Sequence, residues 1–170
     1  MNRVIHLHRP SIWPRIAVAA LAVAAMGFAA TAAFAGECPA DKRVPDGMGQ
    51  KQGPSAPVGV TDVVRASTDL SMEPAAIEGR QFRLRQLDMQ PGGIVPWHSH
   101  NERPAMISIV SGEVVEYASS CAVPIVHRAG DVAPEKNGTS HWWKNVGSTP
   151  ALLISVDLFP GAAKRDDHMM

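Results

Sequence analysis

Cysteine is scarce in this 170-residue chain: there are two, too few for a disulfide scaffold or a four-thiolate zinc site. An excess of either charge is also missing, because 16 Lys+Arg balance 16 Asp+Glu. That excludes a nucleic-acid partner, which needs a basic surface to neutralise phosphates. Long amphipathic periodicity is absent too: outside the first segment, no stretch sustains a helical repeat of apolar residues. What is present is an ordinary 45 % apolar content in 18.1 kDa, which excludes wholesale disorder. The length suits one domain with a real core.

Residues 1–35 read as a secretory signal peptide. Arg3, Arg9 and Arg15 form a basic leader with no acid before Glu37, and an alanine-rich apolar run from Ile16 to Phe34 follows. Ala33-Phe34-Ala35 supplies the small-x-small pattern that a signal peptidase reads. The expected mature protein is therefore periplasmic or secreted, with no membrane attachment once the signal is cut after Ala35. An oxidising compartment permits one bridge between Cys38 and Cys121, closing a loop of roughly 80 residues. Two free thiols are the alternative.

Residues 36–57 are rich in Gly and Pro and poor in large apolar side chains, and read as a flexible N-terminal arm. From Val58 to Pro160 short apolar runs alternate with turn residues. They are Val60–Arg65, Phe82–Met89, Ile94–His98, Met106–Val110, Glu113–Tyr117, Pro124–Arg128, His141–Asn145 and Leu152–Phe159. About eight short strands at this spacing predict an antiparallel sandwich or small barrel. Met106–Val110 is continuous enough to be covered on both faces. Met89, Met106 and Ile109 are expected in the core, and Arg83 and Arg85 on a solvated face. Residues 161–170 read as a disordered tail.

The chemistry concentrates in Pro91-Gly92-Gly93-Ile94-Val95-Pro96-Trp97-His98-Ser99-His100. Two histidines two apart on a strand share a face, and His141 heads a second strand. Three neutral imidazoles from two strands make a candidate metal site, and three protein ligands leave further coordination positions open. The alternative is three unrelated polar residues at strand ends. His127 and His168 have no comparable spacing. Trp143, on the His141 face, is read as pocket wall or ordinary core, and Arg103 as the best candidate to hold an anionic substrate.

Gly92, His98, Ser99, His100 and Gly112 resemble the first motif of the cupin family, and Gly130, Gly138, His141 and Asn145 resemble its second. The resemblance is to a single-domain cupin of the quercetin dioxygenase-like superfamily. It implies an all-β jelly-roll β-barrel, a double antiparallel β-sandwich, over residues 58–160. Two positions depart from the family pattern: Ala105 stands where a glutamate is usual, and Lys136 where a proline is usual. Without that glutamate the implied metal ligands are His98, His100 and His141. Glu102 is a candidate replacement only if the chain turns between His100 and Pro104.

The resemblance implies a divalent transition metal, with Fe(II) favoured and Zn, Mn, Ni or Cu as alternatives. It also implies a small-molecule ligand or substrate and admits a homodimer. The leading expectation is an exported oxygenase-type enzyme, for which the sequence singles out no catalytic residue beyond the metal ligands. The alternatives are a non-catalytic small-ligand-binding cupin and a Zn-dependent isomerase or hydrolase. Because imidazole must be neutral to bind metal, three-histidine coordination is expected to fail below about pH 5–6.

Overall fold

The computed structural model describes residues 36–136 and 138–161. The expected signal peptide, almost all of the tail and His168 lie outside the described residues. The chain forms one nearly closed antiparallel sheet of eight strands: β1 (Val58–Asp69), β2 (Arg80–Ser99), β3 (Ala105–Ser111), β4 (Glu113–Ala118), β5 (Ile125–Arg128), β6 (Val132–Glu135), β7 (Ser140–Lys144) and β8 (Ala151–Pro160). Their order is β5-β4-β7-β2-β8-β3-β6, with β1 also pairing β2. This is the expected all-β, barrel-like cupin architecture.

β2 is the seam. Its first half pairs with β8, from Arg80↔Pro160 to Met89↔Ala151, and its second half pairs with β7. The sequence suggested two strands broken at Gln90–Gly93, but the structure joins them. The break is bridged by backbone bonds from Gly92 N to Asn145 O and from Asn145 N to Gly93 O, both 2.9 Å. Gly92 supplies the positive φ of 76° that this bend requires.

β6 was not anticipated. It is a short edge strand pairing only β3, which explains how Pro134 is tolerated within it. β3 is covered on one face rather than two: Ala105, Ile107 and Ile109 point inward, while Met106 is 64 % exposed and not in the core. The core is built by Leu87, Met89, Ile107, Ile109, Val114 and Leu153, closed by Trp143.

The arm of residues 36–57 lies along the barrel. Val44 N donates to Ser120 O, Gly49 N to Ser119 O and Gln50 N to Ala118 O. A Cβ on Gly53 would run into the ring of Trp142. A Cys38–Cys121 disulfide fastens the arm, closing a separation of 83 residues. Removing it by Cys121→Ser is expected to lower unfolding free energy by about 2–5 kcal/mol, because the unfolded chain regains its loop freedom. Urea denaturation of the two forms checks this, and a midpoint unchanged by the substitution would contradict it.

Candidate metal centre

Strict alternation along β2 from Val95 would turn Trp97 and Ser99 inward. The register prevents this. Val95 faces Trp143 and His98 faces His141, so two residues of β2, Pro96 and Trp97, oppose the single residue Trp142 of β7. This bulge reverses the parity of β2 and sends His98 and His100 to the interior instead. Pro96 suits the bulge because it has no N–H to lose. His141 lies directly across the ladder from His98 and is fully buried.

The three imidazoles converge through the same nitrogen. His98 Nε2 is 3.0 Å from His100 Nε2 and 3.1 Å from His141 Nε2. Each Nδ1 faces an acceptor: Pro96 O at 2.8 Å, Arg103 O at 2.6 Å, and Glu116 Oε1 at 2.7 Å for His141. Those acceptors fix the proton on Nδ1 in all three rings and leave three Nε2 lone pairs facing one another. Trp143 Nε1 also lies 3.1 Å from His141 Nδ1. The charged carboxylate is the stronger partner, so the proton stays between His141 and Glu116.

Three crowded lone pairs make a cluster that could hold a cation. Nitrogens bound at right angles to one ion at ~2.1 Å stand about 3.0 Å apart, whereas tetrahedral angles spread them to about 3.4 Å. The two spacings from His98 Nε2, 3.0 and 3.1 Å, are those of nitrogens that would share one such ion.

Behind the three histidines is a buried acid–imidazole chain that the sequence did not reveal. Glu116 on β4 accepts from His141 Nδ1 through one oxygen and from His127 Nε2 through the other, at 2.9 Å. Burial alone would raise the Glu116 pKa, but these two hydrogen bonds outweigh it and hold the carboxyl well below its usual range. Glu135 Oε2 lies 3.3 Å from His141 Nδ1. Burial, reinforced by the neighbouring Glu116 charge, pushes Glu135 up, opposite to Glu116. The signal available in sequence was an acid at alternate inward positions of β4, between Val114 and Ala118.

Ala105, the position lacking the family glutamate, pairs in register with Glu135. The buried acid nearest the vacant position therefore comes from β6, and it meets His141 on its Nδ1 side rather than among the three Nε2 atoms. Glu102 contributes its carbonyl to Arg80 and does not join either cluster of candidate ligands among the described residues.

His98 and His100 line a cavity of about 190 Å³, walled by Val95, Ile107, Trp143 and Leu153, with Arg85 and Arg103 at its polar side. Trp143 is both core and wall: it is 1 % exposed, and its ring stacks on His127 at 4.5 Å. The expected solvated role of Arg83 and Arg85 is corrected. Asp157, fully buried, receives a two-point contact from Arg83 (2.9 and 2.8 Å), Arg85 at 3.3 Å and Arg103 at 3.6 Å. Arg83 also covers the ring of Phe159, 3.5 Å from its centroid. The physical reason is the inward-facing Asp157 opposite Arg83 on β8, which draws the guanidinium groups against the barrel.

Residues 85–157 match the family model described as the cupin domain. The chain carries a cupin domain. Auxin-binding protein ABP19a of Prunus persica is 27 % identical to it over 137 residues, covering 69 % of this chain and 66 % of that protein. Nectarin-1 of Nicotiana langsdorffii x Nicotiana sanderae is 33 % identical over 76 residues, covering 43 % of this chain and 33 % of its own length. The chain thus spans just under two thirds of the first relative and about one third of the second. A Thermotoga maritima structure described as a predicted oxalate decarboxylase superposes with a TM-score of 0.51 at 19 % identity, over 72 % of this chain and 98 % of the other. That likeness establishes the fold.

The cupin centre also carries a pH signature. Burial, with the His141 imidazole alongside, pushes His98 down to about 3 and His100 to about 4. Between those values and the ordinary ~6.5, unfolded chains take up protons that folded ones refuse, so stability falls as pH falls. The metal-free protein is expected to melt at a lower temperature at pH 5 than at pH 7. For the same reason, proton competition for a bound ion shifts below the pH 5–6 expected of ordinary imidazoles. Melting curves across this range test the sign, and a flat profile would contradict it.

Proposed function

We propose that the protein is an exported, metal-dependent cupin enzyme of oxygenase type that acts on a small organic anion. The observation that carries this reading is the convergence of three Nε2 atoms at a small, largely apolar cavity flanked by two guanidinium groups. A divalent transition ion, Fe(II) by preference, would be held by His98, His100 and His141 and would supply Lewis acidity and, for iron, redox chemistry.

The chain's own residues do the rest. Glu116 orients His141 and stabilises its Nδ1 proton, while the Pro96 and Arg103 carbonyls do the same for His98 and His100. Neutral imidazoles leave the ion's full positive charge in place, and Arg83, Arg85 and Arg103 outnumber the two carboxylates they pair with, Asp157 and Asp62, so a carboxylate or enolate is favoured. Val95, Ile107, Trp143 and Leu153 restrict water at the cavity. Its ~190 Å³ admits only a compact substrate, below the usual range for drug-sized ligands.

Oxygen uptake by Fe(II)-loaded protein with catechol-, diketone- and small carboxylate-type compounds tests the proposal. Metal-dependent turnover with one of these classes, lost in His98→Ala, is the expected result. Stoichiometric binding of such a compound without turnover would instead favour the ligand-binding reading, which the auxin-binding name of the Prunus persica relative supports.

A further inference from the structure

The acid–imidazole chain behind the metal centre ends on an atom without a partner. His127 donates from Nε2 to the Glu116 carboxylate, which leaves Nδ1 as an acceptor. That Nδ1 is buried and has no hydrogen-bond partner among the described residues. A buried acceptor of this kind needs a donor.

The residue beside it is Gly36. It is buried and has a φ of +103°. A Cβ at this position would stand 3.0 Å from His127 Nδ1, 3.2 Å from Asp131 Cβ and 3.5 Å from Asp131 Cγ. For carbon that is too close. For an ammonium nitrogen, 3.0 Å to an imidazole nitrogen is a hydrogen bond, and the 3.5 Å contact with the Asp131 carboxyl carbon places the charge beside that carboxylate, whose Oδ2 also accepts from Arg128 N.

Gly36 is also the residue immediately after the expected cleavage point, Ala35. While the peptide bond to Ala35 is intact, the Gly36 nitrogen is committed to the chain. Once it is cut, turning about the Cα–C bond of Gly36 by a third of a revolution brings the nitrogen into the position of that missing Cβ. The move needs little freedom elsewhere. Cys38, two residues on, is bridged to Cys121, and Glu37 pairs with Arg43 at 3.1 Å.

We propose that the α-amino group released by cleavage between Ala35 and Gly36 docks between His127 Nδ1 and Asp131, and completes the hydrogen-bonded support of the metal centre. The connection then runs without a gap from the ammonium group to His127, to Glu116 and to His141. Removal of the leader becomes a maturation step for the site as well as for export. This rests on the export reading above. Gly36, His127 and Asp131 act here as positioning residues.

The test uses the chain exported and processed by its own leader. Its first residue is read by mass spectrometry, and the reactivity of its α-amine by reductive methylation, before and after Asp131→Asn. A chain beginning at Gly36 is expected, with an amine that reacts at least about tenfold more slowly than in Asp131→Asn, the scale of a charge-assisted hydrogen bond. The His127 Nδ1 resonance in an ¹⁵N spectrum should report a donor, and should lose it in a form carrying one extra alanine before Gly36. That extended form should also bind Mn(II) about tenfold more weakly, as when an outer-shell partner is lost. A chain that starts at Gly36 with an amine as reactive as in unfolded protein overturns the inference and leaves export standing. A different first residue also overturns it. Recovery of an exported chain with its leader uncut overturns the inference alone, and recovery of the uncut chain in the cytoplasm overturns both.

Discussion

His98→Ala is expected to weaken binding of a divalent transition metal by at least about 100-fold, measured by competition against a chromophoric chelator. The figure follows from the loss of one of three inner ligands, since outer-shell losses alone cost 10–100-fold. His98 is the informative choice among the three. It stands at the bulge, half-buried, and its Nε2 is the common neighbour of the other two. His100 and His141 are more deeply buried, so their replacement mixes metal loss with damage to the barrel. The circular dichroism of metal-free His98→Ala should match that of the parent. Unchanged metal affinity in a folded variant would contradict the three-histidine assignment.

Asp157→Asn is expected to cost about 3–5 kcal/mol of unfolding free energy, the usual effect of removing one partner from a buried ionic cluster. The cost arises because Arg83, Arg85 and Arg103 remain together without the anion that gathers them. Asp62 also pairs with Arg85, but from a partly exposed position, so it compensates only in part. The sign of the pH dependence follows. Burial opposes ionisation of Asp157, but Arg83 and its neighbours prevail and lower its pKa. Its stabilising contribution is therefore present above the unfolded carboxylate value of about 3.9 and is lost as pH falls through the lower folded value. Urea unfolding at pH 7 tests the substitution. A shift below about 0.5 kcal/mol, typical of a surface change, would show that the cluster is not a structural anchor.

The strands and candidate ligands were legible because they rest on local pattern. Period-two alternation marks β2 near Phe82 and Leu84, glycines mark the turns, and His98 and His100 share a face wherever they lie on a strand. Which face they share was not legible. It depends on the extra residue at Pro96–Trp97, and a bulge shows only when the partner strand is known. Glu116, His127 and Glu135 stayed hidden for a related reason. They come from three strands and meet only because the sheet brings those strands together. Arg83 and Arg85 look like a solvated face in sequence, because the buried Asp157 that recruits them lies more than 70 residues away. Ala105 shows the same limit: its own residue type signals a lost acid, while the acid on the neighbouring strand appears only through the β3–β6 register.

The most direct test of the account is X-ray absorption at the metal edge, together with the metal content of the purified protein loaded anaerobically with Fe(II). The account predicts one ion per chain, with three imidazole nitrogens at about 2.1 Å and oxygen ligands in the remaining positions. No stoichiometric metal, or an ion with fewer than three imidazoles around it, would contradict it.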